Sequence, residues 1–202
     1  MKILLTLICA IFMFSCSDLR KLNEEIYKVQ KQHLIESPFK SAKGALGHIE
    51  RQKEFRAKQL PPLLQDIIFE ETRTDTIILV EDYSENCIDC PSNSLMVLYK
   101  DTIYSLENQI NKDYRAAYKT KKETFRTVSL DNSYLSDYFP FLLIKKKMER
   151  KQDWTENPLS YGSDSCLGGD YTVATVIYPS NQIESMFVRC WWLGSTLEHL
   201  KE

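Results

Sequence analysis

Histidine is scarce. His33, His48 and His199 are the only three in 202 residues, which leaves little for imidazole acid–base chemistry or for a His-rich metal site. A basic excess is missing too: 26 Lys and Arg face 28 Asp and Glu, a formal net charge of −2. A general nucleic-acid binder carries a clear positive surplus, so no nucleic-acid partner is expected. No internal repeat is present, which sets aside solenoids and propellers. No apolar run reaches the roughly 20 residues of a membrane-spanning helix. No GxSxG elbow frames Ser163-Asp164-Ser165-Cys166, so that segment does not read as a nucleophile loop. Nothing singles out a carboxylate pair among the acidic residues. The sequence names no catalytic residue, no metal ligand set and no cofactor site.

What is present suffices for a folded domain. Apolar residues make up 43% of the chain and aromatics 11%, enough for a packed core. At the N-terminus, Met1-Lys2 precedes the almost unbroken apolar stretch Ile3–Phe14, then Ser15-Cys16-Ser17-Asp18 and polar sequence. The length and polarity of that stretch suit the hydrophobic region of a secretory signal.

Residues 13–16, Met-Phe-Ser-Cys, resemble the lipobox of bacterial lipoprotein precursors, in which a small residue precedes the lipid-bearing cysteine. The resemblance covers about the first 18 residues. It implies removal of a signal peptide, residues 1–15, by signal peptidase II. It also implies a diacylglyceryl group on Cys16, often with a further acyl chain on the new amine. Two or three acyl chains make a stable anchor, each buried methylene contributing about 0.8 kcal/mol. The expected address is the bacterial cell envelope, lipid-anchored to the inner or outer membrane, with the domain in the periplasm or at the cell surface. Cleavage would also remove Lys2, taking the net charge from −2 to about −3.

Beyond Cys16 the periodicity is helical. Leu19, Leu22, Ile26 and Val29 recur at spacings of three and four, and Phe39, Ala42, Leu46 and Ile49 repeat the pattern after Ser37-Pro38. Residues 16–59 therefore read as a helical lead that packs on its own domain or spaces it from a membrane. Leu60-Pro61-Pro62 is expected to stop any helix and to open a second unit, 60–202. That unit reads as β-rich. Thr76–Val80 predicts a buried strand; Leu95–Tyr99 and Thr102–Leu106 predict a hairpin around Lys100-Asp101; Thr124–Leu130 predicts another strand. Asp131-Asn132-Ser133 suits the start of a helix carrying Leu135, Tyr138, Phe139 and Leu142, with Pro140 either kinking it or opening a second helix to about Lys151. After a polar loop at 157–169, Tyr171–Tyr178, the turn Pro179–Gln182 and Ile183–Trp192 form the clearest hairpin. Hairpins without regular βαβ alternation predict an antiparallel sheet and an α+β fold, with N-terminal amphipathic helices and one or two packing helices.

Four cysteines remain once Cys9 is cleaved away and Cys16 is acylated: Cys87, Cys90, Cys166 and Cys190. In an exported chain they read first as two disulfides, with three possible connectivities, of which Cys87–Cys90 and Cys166–Cys190 are preferred. The competing reading makes Cys87-Ile88-Asp89-Cys90 a dithiol redox site. Its neighbours Glu81, Asp82, Glu85 and Asp89 oppose a low thiol pKa, and the sequence after it reads as strand rather than helix. The runs Lys145–Lys147 with Arg150 and Lys151, and Lys119 with Lys121-Lys122, suit solvated positions, the first at a helix end. Tyr161, Tyr171, Trp191 and Trp192 are the candidate binding residues; if the strand continues through the two tryptophans, their rings point to opposite faces. The expected function is a non-enzymatic, membrane-anchored protein-binding module, possible partners including a toxin in the manner of an immunity protein. The alternatives are a thiol-disulfide oxidoreductase using Cys87 and Cys90, or an assembly component that docks through the 19–58 helices.

Overall fold

The computed structural model describes residues 2–68, 74–84, 92–100, 102–110, 116–124, 138–165, 171–191 and 198. Helix α1 (Lys2–Glu36) leads through a 3-10 turn (Lys40–Lys43) to α2 (Leu46–Ile68). Six strands follow: β1 (Ile77–Ser84), β2 (Ser92–Tyr99), β3 (Thr102–Ile110), β4 (Ala116–Thr124), β5 (Tyr171–Ile177) and β6 (Ile183–Arg189), with α3 (Phe139–Glu149) between β4 and β5. All neighbours pair antiparallel, in the order β4-β3-β2-β1-β5-β6. The chain is α+β. Among the described residues no helix is long and apolar enough to cross a membrane.

Strand alternation sorts the core into two layers. Ile77, Leu79, Glu81 and Tyr83 share one face with Leu95, Val97, Tyr171, Val173, Thr175, Ser185 and Phe187, as the registers require. Helices α1 and α2 cover this face, Ile26 and Phe55 packing with Ile77, Leu79 and Ile177. The opposite face, with Ile78, Val80, Met96, Leu98, Val176 and Met186, receives Phe141, Leu143 and Ile144 of α3 together with Trp154 and Tyr161. Every residue of β5 is buried, which only a strand covered on both sides can show.

The helices are fastened to the sheet by polar groups. Arg56 of α2 and Glu81 of β1 form an ion pair at 2.7 Å with side chains 0% and 1% exposed. Arg56 Nη1 donates to both Glu81 oxygens, each at 2.7 Å, and to Gln30 Oε1, while its Nε donates to Asn23 Oδ1. Gln30 Nε2 donates to Glu81 Oε2 at 2.6 Å and to Thr175 Oγ1 at 3.0 Å, and Thr175 Oγ1 meets Ser185 Oγ. The network joins two helices and three strands. A buried charge without such partners would cost several kcal/mol.

Several expectations are corrected here. The boundary placed at residues 59 and 60 falls inside α2, which runs through Pro61 and Pro62 to Ile68. Proline's fixed φ is itself helical, so each ring removes a donor and crowds the preceding turn without forbidding the helical path. Within the apolar stripe of 19–58, Ile26, Phe39, Ala42 and Ile49 are buried, and Leu19, Leu22, Val29 and Leu46 are half-buried. Among the described residues, α3 packs on β1, and every residue of β5 is buried. Strand β4 was missed: Ala116–Thr124 carries three lysines and no apolar alternation. The expected strand 124–130 and the N-cap cluster at 131–133 lie almost wholly outside the described residues. Pro140 opens a helix, in the first turn of α3, which ends at Glu149 rather than Lys151.

Candidate functional site

One end of the sheet gathers planar and cationic side chains. Tyr83, Tyr171 and Arg189 form a row across β1, β5 and β6. His48, two residues into α2, lays its ring on Tyr83 (centroids 3.9 Å apart, 28° between planes) and beside Tyr171 (5.3 Å, 29°). The Arg51 guanidinium stands 5.1 Å from the Tyr83 ring and donates to its hydroxyl at 3.3 Å; that of Arg189 stands 5.2 Å from the Tyr171 ring. Arg51 Nη2 also bonds His48 Nδ1. A guanidinium can only donate, so Nδ1 must accept and carries no proton there. Phe187 extends the stack from Tyr171 (5.9 Å, 27°), and Phe39 meets it edge-on. The rings are held by the core while Arg51 is exposed at the surface. The arrangement sets guanidinium groups against the faces of a rigid, largely buried aromatic base.

Asp164 locks this end. It accepts from the backbone N–H groups of Lys40 (2.6 Å) and Ser41 (3.2 Å) and from the Ser41 hydroxyl, capping the 3-10 turn between α1 and α2. Burial raises its pKa, but the Ser41 and Lys40 hydrogen bonds and the charge of Arg189 outweigh that and lower it overall. The loop reaches this position because Gly162 lies against β6. A Cβ there would fall 2.2 Å from the Arg189 carbonyl oxygen and 2.6 Å from Val188 Cγ1.

A cleft of about 410 Å³ opens at the other end of the sheet, lined by Lys151, Asp153, Trp154, Thr155, Tyr178 and Glu184 among others. Trp154 Nε1 (3.1 Å) and the Tyr178 hydroxyl (2.9 Å) donate to Glu184 Oε2, and Gln182 Nε2 donates to Oε1 at 2.9 Å. Hydrogen bonds from the Thr155 hydroxyl and N–H lower the pKa of Asp153. Burial, with the Glu184 carboxylate beside it, raises that of Tyr178, although the Trp154 hydrogen bond acts the other way. The cleft thus gathers hydrogen-bonded carboxylates and aromatic edges.

Three of the four expected binding residues lie among the described residues. Tyr161 is 1% and Tyr171 8% exposed, and both belong to one buried cluster. Trp191 is half-buried, 6.0 Å from the Tyr161 ring, and Trp192 lies outside the described residues. Strand β6 does not continue through the tryptophans, because Cys190 takes a left-handed φ of 53° that ends the alternation. Cys190 is disulfide-bonded. Cys87, Cys90 and Cys166 lie outside the described residues, as do His199 and the side chain of Cys16. β1 ends and β2 and β5 begin at the sheet end that holds the ring stack. The basic run 145–147 occupies the last turns of α3, where Lys147 stands 5.7 Å from the Tyr161 ring. His33 is alone: its Nε2 is buried with no partner among the described residues, and burial lowers its pKa against the opposing charge of Glu36.

His48, Arg51, Tyr83 and Arg189 were missed as site residues. Only their stacking across three elements reveals them, and no sequence spacing encodes that. Compared with protein families, with curated proteins and with solved structures, the chain matches none.

Proposed function

We propose that the protein is a lipid-anchored, non-enzymatic binding module of the bacterial envelope. It would be acylated at Cys16 and would meet an acidic surface of a partner protein through the ring stack of His48, Tyr83 and Tyr171 with its flanking Arg51 and Arg189. The observation that carries this reading is the stack itself: guanidinium groups on a preorganised aromatic base, at the sheet end where β1 and β6 finish and β5 begins. Both faces of the central strands are occupied internally, so contacts with a partner fall to the ends. The disulfide at Cys190 supports an oxidising compartment and therefore export.

The test replaces Arg51 with a photo-crosslinking residue in the full-length chain in native membranes. One partner, joined reproducibly and lost when Arg189 is replaced by Glu, is the expected result. Irradiated samples that show only the adducts of unirradiated controls would contradict the reading.

A further inference from the structure

We infer that the acylated protein stands end-on on the membrane, with the β2–β3 and β5–β6 turns against phospholipid headgroups and the ring stack facing away. This rests on acylation at Cys16, proposed above, and adds an orientation that acylation alone does not give.

Helix α1 is continuous from Lys2 to Glu36, so no flexible linker separates Cys16 from the domain. Leu19 and Leu22, less than two turns beyond Cys16, already pack against the group that contains Ile77, Tyr99, Ile177 and Ile183. Further along, Gln30 bonds Glu81 and Thr175, and Leu34 joins the core that holds Tyr171 and Phe187. Helix α1 therefore runs along β6, in the direction that β1 and β6 share.

Distances along that shared axis follow from element geometry. Cys16 precedes Gln30 by fourteen residues, about 21 Å of helix. Ile77 precedes Glu81 by four residues, about 13 Å of strand. Cys16 then lies about 8 Å beyond the row that Ile77 shares with Ile177 and Ile183. Lys100 follows Tyr99 directly, and the exposed turn Pro179–Gln182 rises about 7 Å past Ile177. The turn tips and the lipidated residue come to nearly the same level, within the headgroup zone, which is about 5–7 Å deep on each side of a bilayer. Tyr83 lies about 20 Å from Ile77 in the other direction. The stack is thereby presented to the aqueous compartment, where a partner can reach it.

The test uses the full acylated chain in vesicles of phosphatidylethanolamine and phosphatidylglycerol doped with a nickel-chelating lipid. A nitroxide is attached through a ketone amino acid at Ser180 or, in a second sample, at Arg51. Relaxation enhancement by nickel should be several-fold larger at position 180 than at 51. Inserting a flexible ten-residue Gly/Ser segment between Asp18 and Leu19 should collapse that contrast. Equal enhancement at the two positions, a larger effect at 51, or a contrast that survives the insertion would overturn the inference. Flotation of the same vesicles reports the anchor separately. A chain that floats without contrast refutes the orientation alone; one that does not float refutes the anchor and the orientation with it.

Discussion

Replacing Arg56 by Met tests whether the polar layer beneath α1 and α2 fastens the helices to the sheet. The substitution keeps side-chain length and removes the charge. It strips Glu81 of both 2.7 Å hydrogen bonds and leaves a carboxylate at 1% exposure with Gln30 as its remaining donor in the network. Asn23 Oδ1 loses its Arg56 donor as well. Removing one partner of a buried pair costs about 3–5 kcal/mol. For a domain of this size each kcal/mol moves Tm by about 2–4 °C, so Arg56→Met should melt about 6–20 °C lower. Replacing both partners, Arg56→Met with Glu81→Met, removes the stranded charge and should recover at least half of that loss. Urea unfolding of the mature domain, with comparable slopes, gives the four free energies of the cycle. A single variant losing less than about 1 kcal/mol, or a double variant as damaged as the sum of the singles, would refute the reasoning.

Other perturbations follow from particular contacts. Gly162→Ala would set a methyl group against the Arg189 carbonyl and Val188, and should lower stability by roughly 1–3 kcal/mol in urea unfolding; a loss under about 0.5 kcal/mol would contradict the close approach. Burial lowers the folded-state pKa of His33, so the stability it contributes is complete above the unfolded value of about 6.5 and is lost as pH falls through the folded one. Thermal melts between pH 7.5 and 5 should show a decline that His33→Leu flattens; parallel profiles would count against it. Replacing Cys190 by Ser should lower stability by about 2–5 kcal/mol, and a reductant should affect the native chain but leave Cys190→Ser unmoved, as read by chemical unfolding. A reductant effect that persists in Cys190→Ser would place the stabilising bridge elsewhere.

Much of the sheet was legible because its local signals agree. The β-branched run ending at Val80, the hairpin around Lys100 and the turn at Pro179–Gln182 each carry both strand and turn chemistry, and Lys100 and Asn181 adopt the left-handed φ such turns need. The helical lead was legible in part. Its buried stripe in α1 is Asn23, Ile26, Gln30 and Leu34, and in the second helical segment Ala45, Ile49, Gln52 and Arg56. Asn, Gln and Arg occupy positions that helical periodicity assigns to the core, and a count of apolar residues passes over them. A polar residue repeatedly falling in phase with the stripe was the available signal. The ring stack gave none, because His48, Tyr83 and Tyr171 are far apart in the chain and acquire meaning only through register. The disulfide at Cys190 was anticipated from cysteine arithmetic, whereas its place just past the end of β6 depends on a backbone turn that the Cys-Trp-Trp sequence does not announce. The register sets Arg189 opposite Tyr171.

Mass spectrometry of the N-terminus of the natural protein tests the anchored reading most directly. The account predicts a chain that begins at Cys16 and carries a diacylglyceryl group on its sulfur. An intact Met1, or an unmodified thiol at position 16, would contradict it.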